Sequence, residues 1–426
     1  MIETWWLLAA VILISGLYST QFSVSAVRWR TNRQLNDEQI RLRKTVLANS
    51  SQVARLSSQL GRKSPSPGEI PWRILEVADV VEESADCRSF YLVDPYGQDL
   101  PDFYPGQYAM IRPALAGAFQ ATRCYSLSSS PDARYWRITV KEQKPTDDAD
   151  RSRQINNSGG LSSWLHRTIN KGDCLFVGGP SGHFYLPPES SNSLVLLAAG
   201  VGITPMASML RWSLEHTPDR HVTLLYQAKD IDHWPLGEAV HTWQADFSDS
   251  MQAHTFFSRE AAEEVDWLAS ELPGDFHVGK IDSQLAQFAR ATDTDYYMCG
   301  PDTWMEQMRD QLTLCGVAAE RIHWESFGSN PAPNASQSSD FAAHRVRFSL
   351  SDTEVQWQDA EQSVWELAKA NHVEISSGCL SGVCGSCRVK VVSGEVEYDR
   401  QTGIELAADE CLTCIARPKT DLVLEA

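Results

Sequence analysis

The clearest chemical pattern in this 426-residue chain is Ser377-Gly378-Cys379-Leu380-Ser381-Gly382-Val383-Cys384-Gly385-Ser386-Cys387, which is followed later by Cys414. The spacing C-x4-C-x2-C with one distant cysteine is typical of the four thiolates that hold a 2Fe-2S cluster. Glycines between the cysteines allow the backbone to approach sulfur closely. We therefore predict single-electron chemistry, with iron ligated by Cys379, Cys384, Cys387 and Cys414.

Two other interpretations of these cysteines stay open. A structural zinc site usually pairs its ligands as two C-x2-C units, and the thiols could also be unconnected core residues. Cys411, just before Cys414, is interpreted as a small buried side chain rather than as a ligand.

The residues around the cysteine loop predict a small α+β domain. Apolar positions alternate as in a strand, then recur at helical spacing, then begin a further strand after the loop; they are Val346, Phe348 and Leu350, then Val364, Leu367 and Ala368, then residues 389–392. Residues 340–426 therefore resemble a plant-type ferredoxin domain of the β-grasp kind.

Composition limits what the rest of the chain can do. The length allows two to four domains, and 42 % of the residues are hydrophobic, as is usual for globular proteins. A formal net charge of −18 argues against nucleic-acid binding, because no dominant basic face is available to neutralise phosphates. Ten cysteines in so large a chain favour a reducing compartment over a disulfide framework.

The N-terminus predicts a single transmembrane helix. Residues 4–27 carry no charged side chain. A segment of this length is long enough for a helix to cross a bilayer. Basic residues follow this segment, starting with Arg28 and Arg30, so residues 1–30 are predicted to anchor the chain in the cell inner membrane with the catalytic domains in the cytoplasm. A cleaved signal peptide is the alternative, although the segment lacks a positive n-region.

Residues 31–71 predict a polar helical stalk and a linker. Apolar side chains recur at spacings of three and four up to Leu60, and Ser64-Pro65-Ser66-Pro67 follows. A dimerising coiled coil and a helix resting on another surface are both compatible with this pattern.

Residues 72–188 predict an antiparallel β-barrel, because short apolar strands alternate there with Pro and Gly turns. Within them, Arg123-Cys124-Tyr125-Ser126 resembles the R-x-Y-S motif of the ferredoxin-NADP reductase superfamily. A guanidinium suits a flavin phosphate and a tyrosine offers a flat face to the flavin ring. The resemblance implies that Arg123 and Tyr125 bind a flavin, and that Ser126 is both a cofactor-binding and a catalytic residue at the flavin N5 edge.

Two further patterns favour FAD over FMN. Gly159-Gly160-Leu161-Ser162 predicts a glycine loop that opens a helix capped by Ser162, a suitable place for a pyrophosphate. Gly179-Pro180-Ser181-Gly182-His183-Phe184 matches the G-P-x-G-x-F turn of the same superfamily. The predicted cofactor-binding residues of this region are Val140, Lys141, Gly160, Leu161 and Ser162. The charged stretch 144–158 is interpreted as an insert.

Residues 189–328 predict an α/β doubly wound nucleotide domain. A buried strand leads into Gly200-Val201-Gly202-Ile203-Thr204-Pro205 and a helix, an arrangement that aims helix N–H groups at a dinucleotide pyrophosphate. This turn resembles the G-x-G-x-T-P version of the superfamily, and Cys299-Gly300-Pro301 resembles its nicotinamide-facing motif. The resemblance implies a catalytic role for Cys299 and nucleotide binding by Gly200, Gly202, Thr204, Pro205, Cys299, Gly300 and Pro301.

Residues 72–426 together resemble a reductase with flavin, nicotinamide and ferredoxin modules, a family that includes reductase components of bacterial oxygenases and hybrid-cluster-protein reductases; residues 329–339 are the linker before the last module. The expected path runs from NAD(P)H through FAD and the 2Fe-2S cluster to an oxygenase, hydroxylase or desaturase at the membrane. Alternatives are an NADH:quinone electron-input subunit and a non-enzymatic electron carrier. The sequence leaves NADH and NADPH open, with a slight preference for NADH.

Overall fold

The computed structural model describes the chain from residue 71 onward, with internal gaps. The described residues are 71–113, 122–143, 159–289, 293–327, 343–358, 362–375, 380, 382, 385, 387–398, 402, 404 and 406–426. The predicted membrane segment, the stalk, the charged insert 144–158 and the linker 329–339 lie outside them. Within the described part of the chain, no helix has both the length and the apolar character needed to cross a bilayer.

Six antiparallel strands form the first sheet. They are β1 (Trp72–Ser84), β2 (Cys87–Val93), β3 (Tyr108–Arg112), β4 (Arg123–Ser126), β5 (Trp136–Lys141) and β6 (Cys174–Ser181). Their order is β4-β3-β6-β1-β2-β5, and Leu127, directly after β4, bridges Ile138 of β5. Because the two outer strands meet there, the sheet closes into the predicted barrel.

Helix α1 (Gly159–Thr168) packs on this barrel. Its Leu161 and Leu165 are buried in the same apolar core as Phe90. The expected cap at Ser162 is wrong, because the helix already includes Gly159 and Ser162 lies inside its first turn. There the Ser162 hydroxyl accepts a hydrogen bond from the Gln143 N–H over 3.2 Å, a contact with a distant segment that the local sequence pattern does not reveal.

Six parallel strands form the second sheet, with helices on both faces, as predicted. The elements are β7 (Ser193–Ala199), α2 (Ile203–His216), β8 (Val222–Ala228), α3 (Gly237–Asp246), β9 (Met251–Phe257), α4 (Ala262–Glu271), β10 (Asp275–Val278), β11 (Thr294–Gly300), α5 (Asp302–Leu314) and β12 (Ile322–Ser326). The order β10-β9-β8-β7-β11-β12 shows that the chain moves outward from β7 and then crosses back to β11. The switch point between β7 and β11 is where an open α/β sheet is expected to bind its ligand.

The C-terminal domain has the predicted α+β character. Its elements are β13 (His344–Phe348), β14 (Thr353–Trp357), α6 (Val364–Ala370), β15 (Arg388–Ser393), β16 (Val396–Tyr398), β17 (Glu410–Leu412), β18 (Ala416–Pro418) and β19 (Leu422–Leu424). The main sheet has the order β14-β13-β19-β15-β17, and β16 pairs with β18. Val364 and Leu367 of α6 pack against Val346 and Phe348, as their spacing predicts. Leu350 lies beyond the end of β13 and is 74 % exposed.

Candidate functional site

The barrel and the parallel sheet meet at the ends of β4 and β12. The Ser126 hydroxyl donates a hydrogen bond to Glu325 Oε2 over 3.4 Å, although the two residues are 199 positions apart in the chain. The structure puts Glu325 in contact with Ser126, whereas the Phe327 side chain is 46 % exposed.

Glu325 has an unusual protonation equilibrium. Burial raises the pKa of its carboxyl to about 8, and the hydrogen bond from Ser126 opposes this rise. The Glu325 carboxyl is therefore mostly protonated at neutral pH. A neutral carboxylic acid beside a serine hydroxyl can hold a proton and exchange it with a bound ligand.

Cys299 lies beside Glu325, because the two residues are partners in the parallel register of β11 and β12. Its side chain is fully buried. Burial, together with the nearby charges of Glu325 and Asp302, raises the pKa of the Cys299 thiol far above its usual range. Cys299 therefore stays a neutral thiol, which suits contact with a ligand ring better than nucleophilic attack.

The two glycine turns of the parallel sheet pack directly on each other. Gly200 has φ of +54°, in the left-handed region, and begins a short 3-10 turn that runs to Gly202 and into α2. A Cβ atom at Gly202 would overlap the backbone carbonyl of Cys299. The turn after β7 and the turn after β11 can approach this closely only because residue 202 is glycine.

The remaining residues of the two motifs close the turns. The Thr204 hydroxyl, which is buried, donates to the Val201 carbonyl over 3.0 Å. Pro205 lies in the first turn of α2, where a missing N–H costs little. A Cβ atom at Gly300 would lie 2.8 Å from the Trp304 ring and 2.9 Å from Ala199 Cβ.

Trp304 also lines this crevice, although no sequence motif includes it. Its indole N–H donates to Gln227 Oε1 over 3.3 Å, so that the ring stays over Gly300. Its position in the first turn of α5, directly after the Cys299-Gly300-Pro301 motif, is the signal that could have indicated it. Gly200, Gly202, Thr204, Pro205, Cys299, Gly300 and Pro301 thus gather at one crevice, at the carboxyl ends of β7 and β11.

The R-x-Y-S residues are divided between the two faces of β4. Strand alternation places Arg123 and Tyr125 on one face and Ser126 on the other. Arg123 Nη1 donates to the Thr122 carbonyl over 2.8 Å, and Tyr125 packs against the barrel core. Burial raises the pKa of Tyr125 above its usual range, so the phenol stays neutral.

The segment around α1 offers backbone groups more than side chains. Val140 and Leu161 are core residues, and Lys141 pairs with Asp86 over 3.2 Å. The His166 ring bonds to the Val140 carbonyl over 2.8 Å, which holds α1 beside the end of β5. The first N–H groups of a helix have no partner within that helix, so Gly160, Leu161 and Ser162 lie in a turn suited to an anionic phosphate.

The cysteine site is described for two of its four predicted ligands. Cys387 Sγ and Cys414 Sγ lie 3.1 Å apart, although β15 to β17 separate them in the chain. Cys379 and Cys384 lie outside the described residues. Cys411 is fully buried in the core of the domain, in agreement with its interpretation as a small buried side chain.

Two described glycines of the cysteine loop have a left-handed backbone conformation. Gly382 and Gly385 have φ of +80° and +68°, in the region that favours glycine. A Cβ atom at Gly382 would overlap the Ile415 side chain, next to Cys414. Two converging thiols beside closely packed glycines fit a cluster held by thiolates.

Comparisons with protein families identify two of the modules. Residues 196–310 match the oxidoreductase NAD-binding domain. Residues 348–419 match the 2Fe-2S iron-sulfur cluster binding domain. The first match spans both glycine turns, and the second spans all four predicted cluster ligands.

Comparisons with individual proteins extend the similarity to the barrel. The chain is 35 % identical over 261 residues to a flavohemoprotein of Chromobacterium violaceum and spans 61 % of the length of that protein. Among solved structures, it is 30 % identical to the flavohem-like FAD/NAD-binding domain of nitric oxide dioxygenase from Vibrio cholerae O1 biovar El Tor, covering 98 % of that chain and 60 % of its own, with a TM-score of 0.51.

A second solved structure matches a larger part of this chain. It is phthalate dioxygenase reductase, described as a modular structure for electron transfer from pyridine nucleotides to [2Fe-2S]. The match covers 83 % of this chain and 98 % of that chain, with 26 % identity and a TM-score of 0.52.

Proposed function

This chain belongs to the ferredoxin-NADP reductase superfamily and ends in a 2Fe-2S ferredoxin domain, and from this we propose that it takes electrons from NAD(P)H and delivers them singly to an acceptor protein. The observation that carries the proposal is the contact of Ser126 with Glu325, which joins the barrel to the crevice containing Cys299 and both glycine turns. The similarity to phthalate dioxygenase reductase, matched over nearly all of its length, supports the same order of modules.

The residues that would hold FAD lie on the barrel. Arg123 would bind its phosphate, Tyr125 would face its ring, and the first turn of α1 would receive its pyrophosphate. NAD(P)H would bind at the switch point, with its pyrophosphate at the Gly200–Gly202 turn and its nicotinamide beside Cys299. When bound at these residues, FAD would supply a two-electron acceptor for hydride, and a 2Fe-2S cluster at the cysteines would supply a one-electron exit.

The residues of the crevice position the reactants and manage one proton. Cys299, as a buried neutral thiol, presents an uncharged surface to the nicotinamide. Glu325 holds a proton at neutral pH because its pKa is about 8, and the Ser126 hydroxyl lies within reach to relay it. Orientation of the two ligands against each other supplies most of the rate enhancement expected of such a site.

The route through the cluster is tested by Cys414→Ser. We expect this variant to reduce ferricyanide with NADH at nearly the wild-type rate, because a small oxidant can reach the flavin directly. We expect reduction of cytochrome c, a one-electron protein acceptor, to fall at least about tenfold, since the exit through the cluster is lost.

Cys411→Ala is the matched control, because Cys411 is a buried thiol of the same domain without a predicted ligand role. It should retain both activities. Cytochrome c reduction that survives in Cys414→Ser would show that electrons leave by another route.

The acceptor is proposed to be a membrane-bound oxygenase, hydroxylase or desaturase. The uncharged segment 4–27 supports anchoring of the chain at the cytoplasmic face of the inner membrane. Cross-linking in intact membranes followed by purification would identify the partner. A metalloprotein with a mononuclear or dinuclear iron centre is the expected partner, and a quinone-reducing complex would contradict this assignment.

A further inference from the structure

Tyr226 is a buried polar residue that neither sequence motif includes. It lies in β8, next to the strand that carries the first glycine turn, and its side chain is fully buried. Its hydroxyl donates to two backbone carbonyls, that of Gly200 over 3.2 Å and that of Pro235 over 2.8 Å. A phenol has one proton, so the two carbonyls share it in a three-centre hydrogen bond.

The orientation of the Gly200 carbonyl determines the geometry of the glycine turn in the nucleotide crevice. Gly200 has a left-handed backbone conformation, and the peptide groups that follow it begin the 3-10 turn leading into α2. The orientation of the Gly200 carbonyl fixes the plane of the next peptide, and therefore the direction of the Val201 N–H. The N–H groups of this turn are those expected to meet a pyrophosphate.

The Pro235 carbonyl connects the same hydroxyl to the barrel. Leu236, the next residue, has φ of +59° and lies close enough to the Glu83 carboxyl, at the end of β1, to lower its pKa through its backbone, although burial raises this pKa overall. In the adjoining turn, the Ala85 N–H donates to the Asp232 carbonyl over 2.8 Å. The turn that contains Pro235, which accepts the shorter of the two Tyr226 contacts, is thus held against the barrel.

The phenol keeps its proton under all working conditions, because burial raises the pKa of Tyr226 well above its usual range. A hydrogen bond to both carbonyls is therefore available whenever the nucleotide binds. A nonpolar ring of the same shape would fill the same space but would leave both carbonyls without this donor.

We propose that Tyr226 is a positioning residue for NAD(P)H, which holds the Gly200 turn in its binding orientation and ties it to the segment anchored on the barrel. The proposal rests on the function proposed above, because it assigns the Gly200 turn to the nucleotide pyrophosphate. It predicts that the hydroxyl acts on nucleotide affinity and leaves the chemistry beside Cys299 largely unchanged.

The test is Tyr226→Phe in the full-length holoprotein. The dissociation constant of NAD⁺, measured by calorimetry, should rise about tenfold, the ratio expected for loss of one buried hydrogen-bond donor. The KM for NADH should rise by a similar factor, and kcat should stay within about threefold. Amide hydrogen exchange at residues 200–203 should be faster than in the wild type.

Tyr296→Phe is the matched control. Tyr296 is a fully buried tyrosine of β11, and its hydroxyl donates to the Phe288 carbonyl over 3.3 Å, away from the glycine turn. Both variants remove one oxygen atom from the core of the same sheet, so both should fold with somewhat lowered melting temperatures. Only Tyr226→Phe should weaken nucleotide binding.

Unchanged NAD⁺ affinity in Tyr226→Phe would overturn the proposal, and so would an equal loss in both variants, because that would reflect general loosening of the sheet. The calorimetric result does not depend on electron transfer. A wild-type protein that binds NAD⁺ but fails to reduce any acceptor would contradict the proposed function while leaving the role of Tyr226 testable by the same comparison.

Discussion

Glu325 has a raised pKa because the contact between barrel and sheet removes its carboxyl from water. An acid whose folded pKa lies above its unfolded value binds more protons in the folded state. Its contribution to stability is therefore lost as pH rises from the usual value of 4.5 to the folded value of about 8. Above about pH 8 the buried Glu325 carboxyl is ionised, and its negative charge lowers the stability of the folded state.

Glu325→Gln is expected to remove this pH dependence. The free energy of unfolding of the wild type should fall between about pH 5 and pH 8, and the variant should show a flatter profile, because an amide does not ionise. Thermal unfolding at a series of pH values measures both. If the free energy of unfolding depended on pH in the same way in both proteins, the Glu325 carboxyl would be solvated and its pKa would have its usual value.

Gly202→Ala tests the close contact of the two glycine turns. The added methyl group would displace the Cys299 carbonyl, so we expect nucleotide affinity to fall more than about tenfold. Gly316→Ala is the control, because a Cβ atom there meets nothing within 4 Å and only strains a backbone with φ of +86°. The Gly316→Ala control should lose some stability but keep the nucleotide affinity of the wild type. A Gly202→Ala variant that binds the nucleotide as tightly as the wild type would contradict the described packing.

At the scale of elements, the sequence predicts most where the signal is local. The unbroken apolar run before Gly200 forms β7, and the glycine turn that follows it leads into α2, as predicted. The sequence pattern places the cap of α1 at Ser162, but the helix already includes Gly159. Ser162 bonds instead to Gln143 of another segment, which no local pattern reveals. The pairing of Ser126 with Glu325 depends on how two domains pack, which no local pattern contains.

Helix α6 provides a prediction at this scale, because it has a complete capping box. The Ser363 hydroxyl accepts from the Glu366 N–H over 3.2 Å, and the Glu366 carboxylate accepts from the Ser363 N–H over 2.8 Å. Ser363→Ala should lower the stability of the ferredoxin domain by about 1 kcal/mol. Denaturant unfolding followed by the visible absorbance of the cluster measures this, and an unchanged midpoint would show that the cap contributes nothing.

At the scale of the whole molecule, the three described modules follow one another in the order that the motifs predict. The barrel and the parallel sheet share the crevice at Ser126 and Glu325, and the ferredoxin domain supplies the thiols of Cys387 and Cys414. Such an order suits conversion of a two-electron donor into single electrons. The predicted membrane anchor precedes all three modules in the sequence.

The anchor is tested by placing charge in the apolar segment. Ile12→Arg combined with Ile14→Arg should move the full-length protein from the membrane fraction to the soluble fraction, because each arginine costs about 2.5–3.5 kcal/mol in a bilayer. Oxidation of NADH should persist. Ser50→Arg with Ser51→Arg adds the same charge outside the segment and should leave the protein in the membrane fraction. Wild-type protein in the soluble fraction would refute the anchor.

The relay itself is tested most directly by electron paramagnetic resonance of the anaerobic holoprotein after addition of NADH. We predict the rhombic signal of a reduced 2Fe-2S cluster in the wild type and in Cys411→Ala, and its absence in Cys414→Ser. A wild-type protein that oxidises NADH with bleaching of its flavin but develops no such signal would contradict the account.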